Sequence, residues 1–322
     1  MMAREYVNHR ELVQFAQDKV NLPKIKADEY RAQARRVREK LEKYLLKLPN
    51  FSLRKIMLSG SLAKGTSLKS LNDIDMACYI SGAGLPRSIE SLLDYLTKCL
   101  RSAFPNLSPD QVQPKTYSVT ISFKGTGLDI DVVPVLYDND PNWYGYLVSQ
   151  DDGSFLETCI PRHLEFIRTR KLKQDKHFAQ TIRLVKYWVK HMKSERRDFR
   201  FKSFMVELIM AKLLDQGKDF SDYPEALQHF FTYVAISNLN EIIYFTDYYS
   251  KSKILNYGER IKIIDPVNEK NNTAKLYKSH EAENIVNASL EAGDAIDAAM
   301  KATTKQDTIY YWQKIFGPTF SI

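Results

Sequence analysis

The chain has 322 residues, of which 44% are hydrophobic and 27% charged. This composition is typical of a globular protein with a full-sized core, and the length suits two lobes or one large domain. No apolar run is long enough to span a membrane, and the first 15 residues carry charges throughout, so we predict neither a membrane span nor a signal peptide. The net charge of +8 attracts polyanions, such as nucleotide triphosphates or nucleic acid. A basic substrate cleft and a solvated surface with no specific partner are equally compatible with this charge.

Residues 1–25 are polar and mixed, with a short helix predicted near Arg10–Val20. From Asp28 to Leu48 the apolar residues follow helical spacing, which predicts a long helix. Asp28 is its expected N-cap and Pro49 its expected end.

The stretch from Lys55 to Ile80 carries the strongest chemical signal. Lys55–Leu58 reads as a short buried strand that ends at a turn of small residues, which let the backbone approach a ligand closely. Asp73 and Asp75 then open a second apolar run, Met76–Ile80. Because side chains two apart in a strand lie on one face, these two carboxylates are expected side by side.

Two neighbouring carboxylates repel each other and raise each other's pKa unless a cation lies between them. Mg²⁺ takes such oxygen ligands together with substrate phosphates. An isolated Asp-x-Asp is more often a turn or a surface strand end. The spacing of twelve residues between Ser61 and Asp73 makes the combination more specific.

A loop at Ser81–Pro86 and a helix at Ser88–Phe104 follow. Tyr117–Phe123 and Leu128–Leu136 then read as the strands of a hairpin. The second strand carries Asp129 and Asp131 on one face, and either is a candidate third metal carboxylate.

Residues 137–153 read as loop, and helical patterns dominate beyond them, so we predict lobes at 1–153 and 154–322. The three cysteines (Cys78, Cys99 and Cys159) lack metal or redox spacing and are expected to be reduced thiols of a cytoplasmic protein. Helices are predicted at Pro161–Lys171, Asp175–Lys193, from Ser203 through SFMVELIMAKLL, Tyr223–Ser237, Glu281–Lys301 and Thr308–Phe316.

The Gly-Ser turn followed by Asp-x-Asp resembles the signature of the DNA polymerase β-like nucleotidyltransferases. GSLAKGTSL followed by DIDM is especially similar to the 2′-5′-oligoadenylate synthases. Those enzymes share a fold with cyclic GMP–AMP synthase and with the bacterial cGAS/DncV-like nucleotidyltransferases (CD-NTases), which make cyclic oligonucleotides in anti-phage (CBASS) operons. The resemblance implies an α+β fold with a polymerase β-like lobe, a mixed sheet with flanking helices. A helical, oligoadenylate synthase-like C-terminal lobe follows, with the active site in the cleft between the lobes and the long N-terminal helix as a spine.

The same resemblance implies the catalytic metal ligands. The D-V-V-P segment is similar to the family's third-aspartate strand, which assigns that role to Asp131 beside Asp73 and Asp75, with Asp129 as the weaker candidate. Two Mg²⁺ or Mn²⁺ ions are expected in such a site.

Further segments resemble those that bind the nucleotide in this family. L-V-K-Y-W and K-S-F-x-x-E-L are similar to the segments that supply a triphosphate-binding Lys and Ser and an aromatic near the base, although a solvated lysine and an ordinary helix cap are the alternatives. The implied nucleotide- and phosphate-binding residues are Gly60, Ser61, Lys64, Lys186, Ser203 and Phe204. Asp265–Asn272 resembles the family's D-P-x-x-P-x-N-N segment but has Glu269 near the second proline position, so no role is assigned to it.

We therefore predict a cytoplasmic, monomeric enzyme that joins NTPs, ATP among them, into a cyclic di- or trinucleotide and releases pyrophosphate. CBASS accessory or effector proteins are its expected partners, and a nucleic-acid activator is left open. The alternatives are a linear, RNA-activated oligoadenylate synthase, a primer-dependent polymerase of the poly(A) or tRNA type, and a non-catalytic nucleotide-binding scaffold.

Overall fold

The computed structural model describes residues 6–48, 52–81, 89–148 and 154–321. The chain divides into two compact units, one of residues 22–165 and the other of residues 1–21 together with 166–322. These units differ from the predicted lobes because the first 21 residues group with the C-terminal half and because the first unit extends to residue 165. The predicted lobe boundary after residue 153 stays a prediction.

Helices and strands alternate through the first half of the chain, and helices dominate the second. The helices are α1 (His9–Phe15, continued as a π-helix over Ala16–Val20), α2 (Lys24–Leu45), α3 (Gly60–Lys64), α4 (Ile89–Ala103), α5 (Ile160–Lys173), α6 (Asp175–Glu195), α7 (Ser203–Asp215), α8 (Tyr223–Ser237), α9 (Ser279–Lys301) and α10 (Lys305–Phe316). The strands are β1 (Ser52–Leu58), β2 (Asp73–Ser81), β3 (Val112–Pro114), β4 (Val119–Phe123), β5 (Leu128–Leu136), β6 (Gly145–Val148), β7 (Phe155–Thr158), β8 (Ile264–Asp265) and β9 (Asn268–Asn272). Single 3₁₀ turns occupy Pro109–Gln111 and Lys251–Lys253.

Unit 22–165 contains a seven-stranded mixed sheet. Five strands follow the order β1-β2-β5-β4-β3, and β6 pairs with both β5 and β7. β2 and β5 run parallel, and the other neighbours are antiparallel. β2 lies inside the sheet, and Met76 to Ile80 are all buried. A strand covered on both faces explains why this segment reads as an unbroken apolar run.

The core of this unit lies between the sheet and the helices α2 and α4. Helix α2 buries residues at helical spacing, including Val37, Leu41 and Leu45, and packs against β1 and α4. Leu96 and Leu100 of α4 are fully buried in the same cluster. The apolar stripes read from the sequence are therefore the surfaces that cover the sheet.

Two local expectations differ from the structure, and a third falls on a residue that the structure does not describe. Helix α2 begins at Lys24 after Pro23, so the predicted N-cap Asp28 lies inside the helix, where it pairs with Arg31 at 3.0 Å. The backbone angle set by the ring of Pro23 is compatible with a helix start. The predicted loop at 137–153 contains strand β6, which is too short for a periodic signal and is formed by pairing with β7. Pro49, the predicted helix end, lies outside the described residues.

The second unit is mostly helical. Helix α7 is buried on nearly every side and packs against α6 and α8, which accounts for its strongly apolar sequence. Helices α8, α9 and α10 pack in succession, and β8 and β9 form a small hairpin. All three cysteines of the chain are free, buried thiols. In the described ranges, we find no helix with the length and apolar character to cross a membrane.

Candidate active site

The parallel pairing of β2 with β5 brings the predicted carboxylates together. Asp73 lies opposite Asp129 and Asp75 lies opposite Asp131 in the register of the two strands. Because residues two apart share a face of a strand, all four aspartates belong to one face at this end of the sheet. The predicted catalytic carboxylates therefore lie on two adjacent strands.

The surroundings of Asp75 perturb its pKa. Burial raises its pKa, and the charges of Asp73 and Asp131 raise it further, while Lys64 and Lys115 act in the opposite direction. The net effect raises the pKa of Asp75 to about 6. The ionised form of this half-buried carboxylate is therefore disfavoured, and a bound cation would stabilise it.

Gly60 lies directly against Asp75. Its φ is +63°, and a Cβ at this position would lie 2.7 Å from Cγ of Asp75 and closer still to Oδ2. The backbone N–H of Ser59 also donates to the carbonyl oxygen of Asp75 at 2.8 Å. A residue other than glycine at position 60 would therefore push the carboxylate out of place.

The predicted turn at Gly60 and Ser61 is the start of the short helix α3. The hydroxyls of Ser61 and Ser67 lie 3.1 Å apart, within hydrogen-bonding distance. Lys64, the last residue of α3, lowers the pKa of Asp75 through its charge. These three predicted phosphate-binding residues therefore lie beside the carboxylates within one unit.

Two residues of the β3–β4 hairpin bind the carboxylate of Asp131. Nζ of Lys115 lies 3.2 Å from Oδ1 and 3.4 Å from Oδ2 of Asp131. The hydroxyl of Thr120 donates to Oδ1, and Thr120 is buried directly opposite Asp131 in the β4–β5 register.

Our sequence analysis missed both contacts to Asp131. Counting pairs outward from the connection between the predicted strands Tyr117–Phe123 and Leu128–Leu136 would have placed Thr120 opposite Asp131. Lys115 lies just beyond β3, outside the paired residues, so no strand register places its side chain.

Among the described residues, no three His, Cys, Asp or Glu side chains converge closely enough to enclose a metal ion. A Mg²⁺ site of this kind needs no closed protein cage, because Mg²⁺ keeps several waters and takes one or two carboxylates together with substrate phosphates. Burial, followed by the charges of Asp73 and Asp131, raises the pKa of Asp75, so a cation bound there would stabilise the ionised carboxylate. The residues present therefore fit a hard divalent cation.

The other predicted nucleotide-binding residues belong to the helical unit. Nζ of Lys186 lies 2.6 Å from Oε1 of Glu207, and both side chains are almost fully buried. The solvated-lysine alternative for Lys186 is therefore wrong. Ser203 is exposed and Phe204 is half-buried at the start of α7.

The predicted N-cap of α7 is also corrected. Lys202 occupies the N-cap position, and Ser203 is the first helical residue. The N–H of Lys202 donates to the hydroxyl of Tyr277 at 2.9 Å, so a residue far along the chain holds the backbone where the helix begins.

The segment Asp265–Asn272 has a structural role in the β8–β9 hairpin. Oδ1 of Asp265 accepts from the N–H of Val267, and its Oδ2 accepts from the side chain of Asn271. Asn272 accepts from two backbone N–H groups through Oδ1 and donates to the carbonyl of Ile261 through Nδ2. These buried side chains satisfy backbone groups that the two short strands leave unpaired.

Known proteins match this chain over nearly its whole length. The chain is 59% identical over 319 residues, 99% of each chain, to the cyclic AMP-AMP-AMP synthase of Escherichia coli strain MS 115-1. It is 31% identical over 309 residues, 94% of each chain, to the CBASS oligonucleotide cyclase CdnC of Escherichia coli strain KTE188. The chain belongs to the family of CBASS oligonucleotide cyclases. No protein-family model matches it.

Solved structures agree with this family. The structure of E. coli MS115-1 CdnC with ATP matches with a TM-score of 0.95 at 59% identity, covering 99% of this chain and 100% of that one. The same enzyme in a complex with HORMA-deltaN matches with a TM-score of 0.94 at 58% identity, covering 99% and 100%. The cyclic AMP-GMP synthase DncV of Vibrio cholerae, 13% identical over 97% of each chain with a TM-score of 0.69, shares the fold.

Membership in the cyclase family confirms three predictions. The fold is the predicted α+β nucleotidyltransferase fold. The chain is an enzyme, a nucleotidyltransferase, and its function is the synthesis of a cyclic oligonucleotide in CBASS signalling. Use of a divalent metal follows in general terms from the family, whereas the ligands and the number of ions do not.

Proposed function

We propose that Asp73, Asp75 and Asp131 form the catalytic carboxylate group of this cyclase and hold two Mg²⁺ or Mn²⁺ ions. The observation that supports this most strongly is the parallel register that pairs Asp75 with Asp131, combined with the pKa of about 6 at Asp75. When bound, the ions would activate an attacking sugar hydroxyl and neutralise the departing pyrophosphate. The carboxylates themselves orient the ions and carry the compensating charge.

The remaining site residues are proposed to bind the NTP. Gly60, Ser61 and Lys64 lie next to the carboxylates and would contact its phosphates. Ser203 lies at the start of a long helix, where backbone N–H groups favour anions, and Phe204 follows it as the residue nearest the base.

Lys186 is proposed as a further triphosphate contact. Its ammonium already pairs with Glu207 at 2.6 Å, so a phosphate oxygen would share it rather than meet an unpaired charge.

We further propose that the product is a cyclic trinucleotide made from ATP. The relative with 59% identity is named for the product cyclic AMP-AMP-AMP, and a match of this extent over 99% of both chains favours the same substrate. A linear product or a product of other bases is the alternative outcome of the same assay.

A HORMA-domain protein is the proposed partner, because the solved structure of this relative contains one. Cytoplasmic location and the monomeric state stay predictions. Co-expression of the chain with a HORMA-domain protein, followed by size-exclusion chromatography, tests the partner and the oligomeric state together.

The deciding experiment compares three aspartate variants. Wild-type protein with ATP and Mg²⁺ should give a phosphatase-resistant product with the mass of a cyclic tri-AMP. Asp75→Asn and Asp131→Asn should abolish that product while both variants stay folded by circular dichroism.

Asp129→Asn is the matched control, since Asp129 lies on the same strand and face but opposite Asp73. It should retain most of the product. Loss of activity in Asp129→Asn with retention in Asp131→Asn would exchange their roles, and full activity in Asp75→Asn would rule out the metal assignment.

A further inference from the structure

Lys115 lies in an unusual position for a surface lysine. It follows β3 directly, and its backbone N–H donates to the carbonyl of Ser118 at 2.8 Å, which closes the turn between β3 and β4. Its ammonium reaches across to Asp131 on β5 and contacts both carboxylate oxygens. The side chain is 50% exposed, whereas that of Asp131 is 15% exposed. A hairpin turn therefore anchors a half-exposed cation over a mostly covered carboxylate.

The two oxygens of Asp131 are bound differently. Oδ1 accepts from the buried hydroxyl of Thr120 as well as from Lys115. Oδ2 has Lys115 as its one hydrogen-bond donor within the described ranges. If the ammonium withdraws, Oδ1 keeps the hydroxyl and Oδ2 loses its donor. Thr120 thus holds the carboxylate in place while one oxygen is released.

We propose that Lys115 is a displaceable counter-ion, tethered to the β3–β4 turn, that covers Oδ2 of Asp131 until a divalent cation replaces it. This proposal rests on the proposed role of Asp131 as a metal ligand. The ammonium neutralises part of the charge that three carboxylates bring together, and a metal ion must break the Lys115–Asp131 contact to reach Oδ2. Lys115 is therefore a residue that sets the metal affinity, acting through Asp131 and not through the substrate.

The size of the effect follows from the exposure of the pair. An exposed ion pair with one well-placed partner contributes about 0.2–1 kcal/mol to stability. Loss of that contribution when a metal ion binds changes the dissociation constant of the metal by roughly 1.4- to 5-fold. Removal of the ammonium in Lys115→Met should therefore tighten Mn²⁺ binding by up to about 5-fold. Lys115→Arg keeps the charge at the same place and should bind Mn²⁺ as the wild type does.

The experiment measures Mn²⁺ binding to the full chain without nucleotide, from the electron paramagnetic resonance signal of free Mn²⁺. Lys115→Met, Lys115→Arg and Asp131→Asn are compared with the wild type. Because Lys115 is half exposed, its replacement should leave the fold intact, and circular dichroism checks this. Tighter binding in Lys115→Met with unchanged binding in Lys115→Arg supports the counter-ion role.

Two results overturn the proposal and are distinguishable from each other. Equal or weaker Mn²⁺ binding in Lys115→Met refutes the counter-ion role alone, and a raised KM for ATP in that variant would make Lys115 a substrate ligand instead. If Asp131→Asn binds Mn²⁺ as tightly as the wild type, Asp131 is not a metal ligand. The proposed metal site and the counter-ion role then fail together.

Discussion

Replacement of Gly60 by alanine tests whether the Gly-Ser turn places Asp75. Gly60 has a φ of +63°, where an L-residue other than glycine costs about 1–2 kcal/mol. The added Cβ would also lie 2.7 Å from Cγ of Asp75, so the carboxylate must rotate away at a further cost of about 0.5–1.5 kcal/mol. Gly60→Ala should therefore destabilise the chain by about 2–3 kcal/mol. A shift of about 1 Å in a catalytic group lowers turnover by roughly 100-fold.

Gly127 provides a matched control within the same unit. It has the same φ of +63°, but a Cβ there meets no atom within 4 Å. Gly127→Ala should show the backbone cost alone, so its melting temperature should exceed that of Gly60→Ala by about 2–4 °C, and its activity should stay near that of the wild type. Differential scanning fluorimetry and product formation from ATP measure the two effects. Equal melting temperatures and equal activities in the two variants would refute the argument that Gly60 positions Asp75.

Three further perturbations follow from named contacts. Because the pKa of Asp75 is raised to about 6 in the folded chain, the folded state binds the extra proton between about pH 4 and 6, and stability falls as pH rises through this window. Asp75→Asn in EDTA should remove this fall and be about 3 kcal/mol more stable than the wild type at pH 7.5, with no gain at pH 4. A constant difference in melting temperature from pH 4 to 7.5 would contradict this expectation. Glu207→Ala leaves the buried ammonium of Lys186 without its carboxylate and should lower the free energy of unfolding in urea by about 3 kcal/mol or more. The control Asp110→Asn breaks an exposed pair with Lys124 and should leave the urea midpoint unchanged. Equal midpoints in the two variants would contradict the burial argument. Asn272→Ala removes a buried side chain that bonds three backbone groups and should lower the free energy of unfolding by about 2–3 kcal/mol. Mn²⁺ binding should stay unaltered. A selective loss of Mn²⁺ binding would instead connect the β8–β9 hairpin to the carboxylates.

Local patterns predicted much of the sheet unit. The apolar run after Asp75 and the hairpin of β4 and β5 were predicted from periodicity and turn residues, because these signals depend on neighbours along the chain. The N-cap of α2 was misplaced by five residues, because Pro23 and Asp28 are both acceptable at a helix start and packing decides between them. Strand β6 was missed because its four residues are stabilised by pairing with β7.

The carboxylate site divides in the same way. Period-two alternation by itself determined that Asp73 shares a face with Asp75 and that Asp129 shares one with Asp131, and the resemblance of these motifs to a known family indicated a nucleotidyltransferase. Only the tertiary structure decided that Asp75 faces Asp131, that Gly60 touches Asp75 and that Lys115 covers Asp131. The physical reason is that side-chain alternation is a property of one strand, whereas the register between strands depends on how distant segments bury their apolar faces against each other.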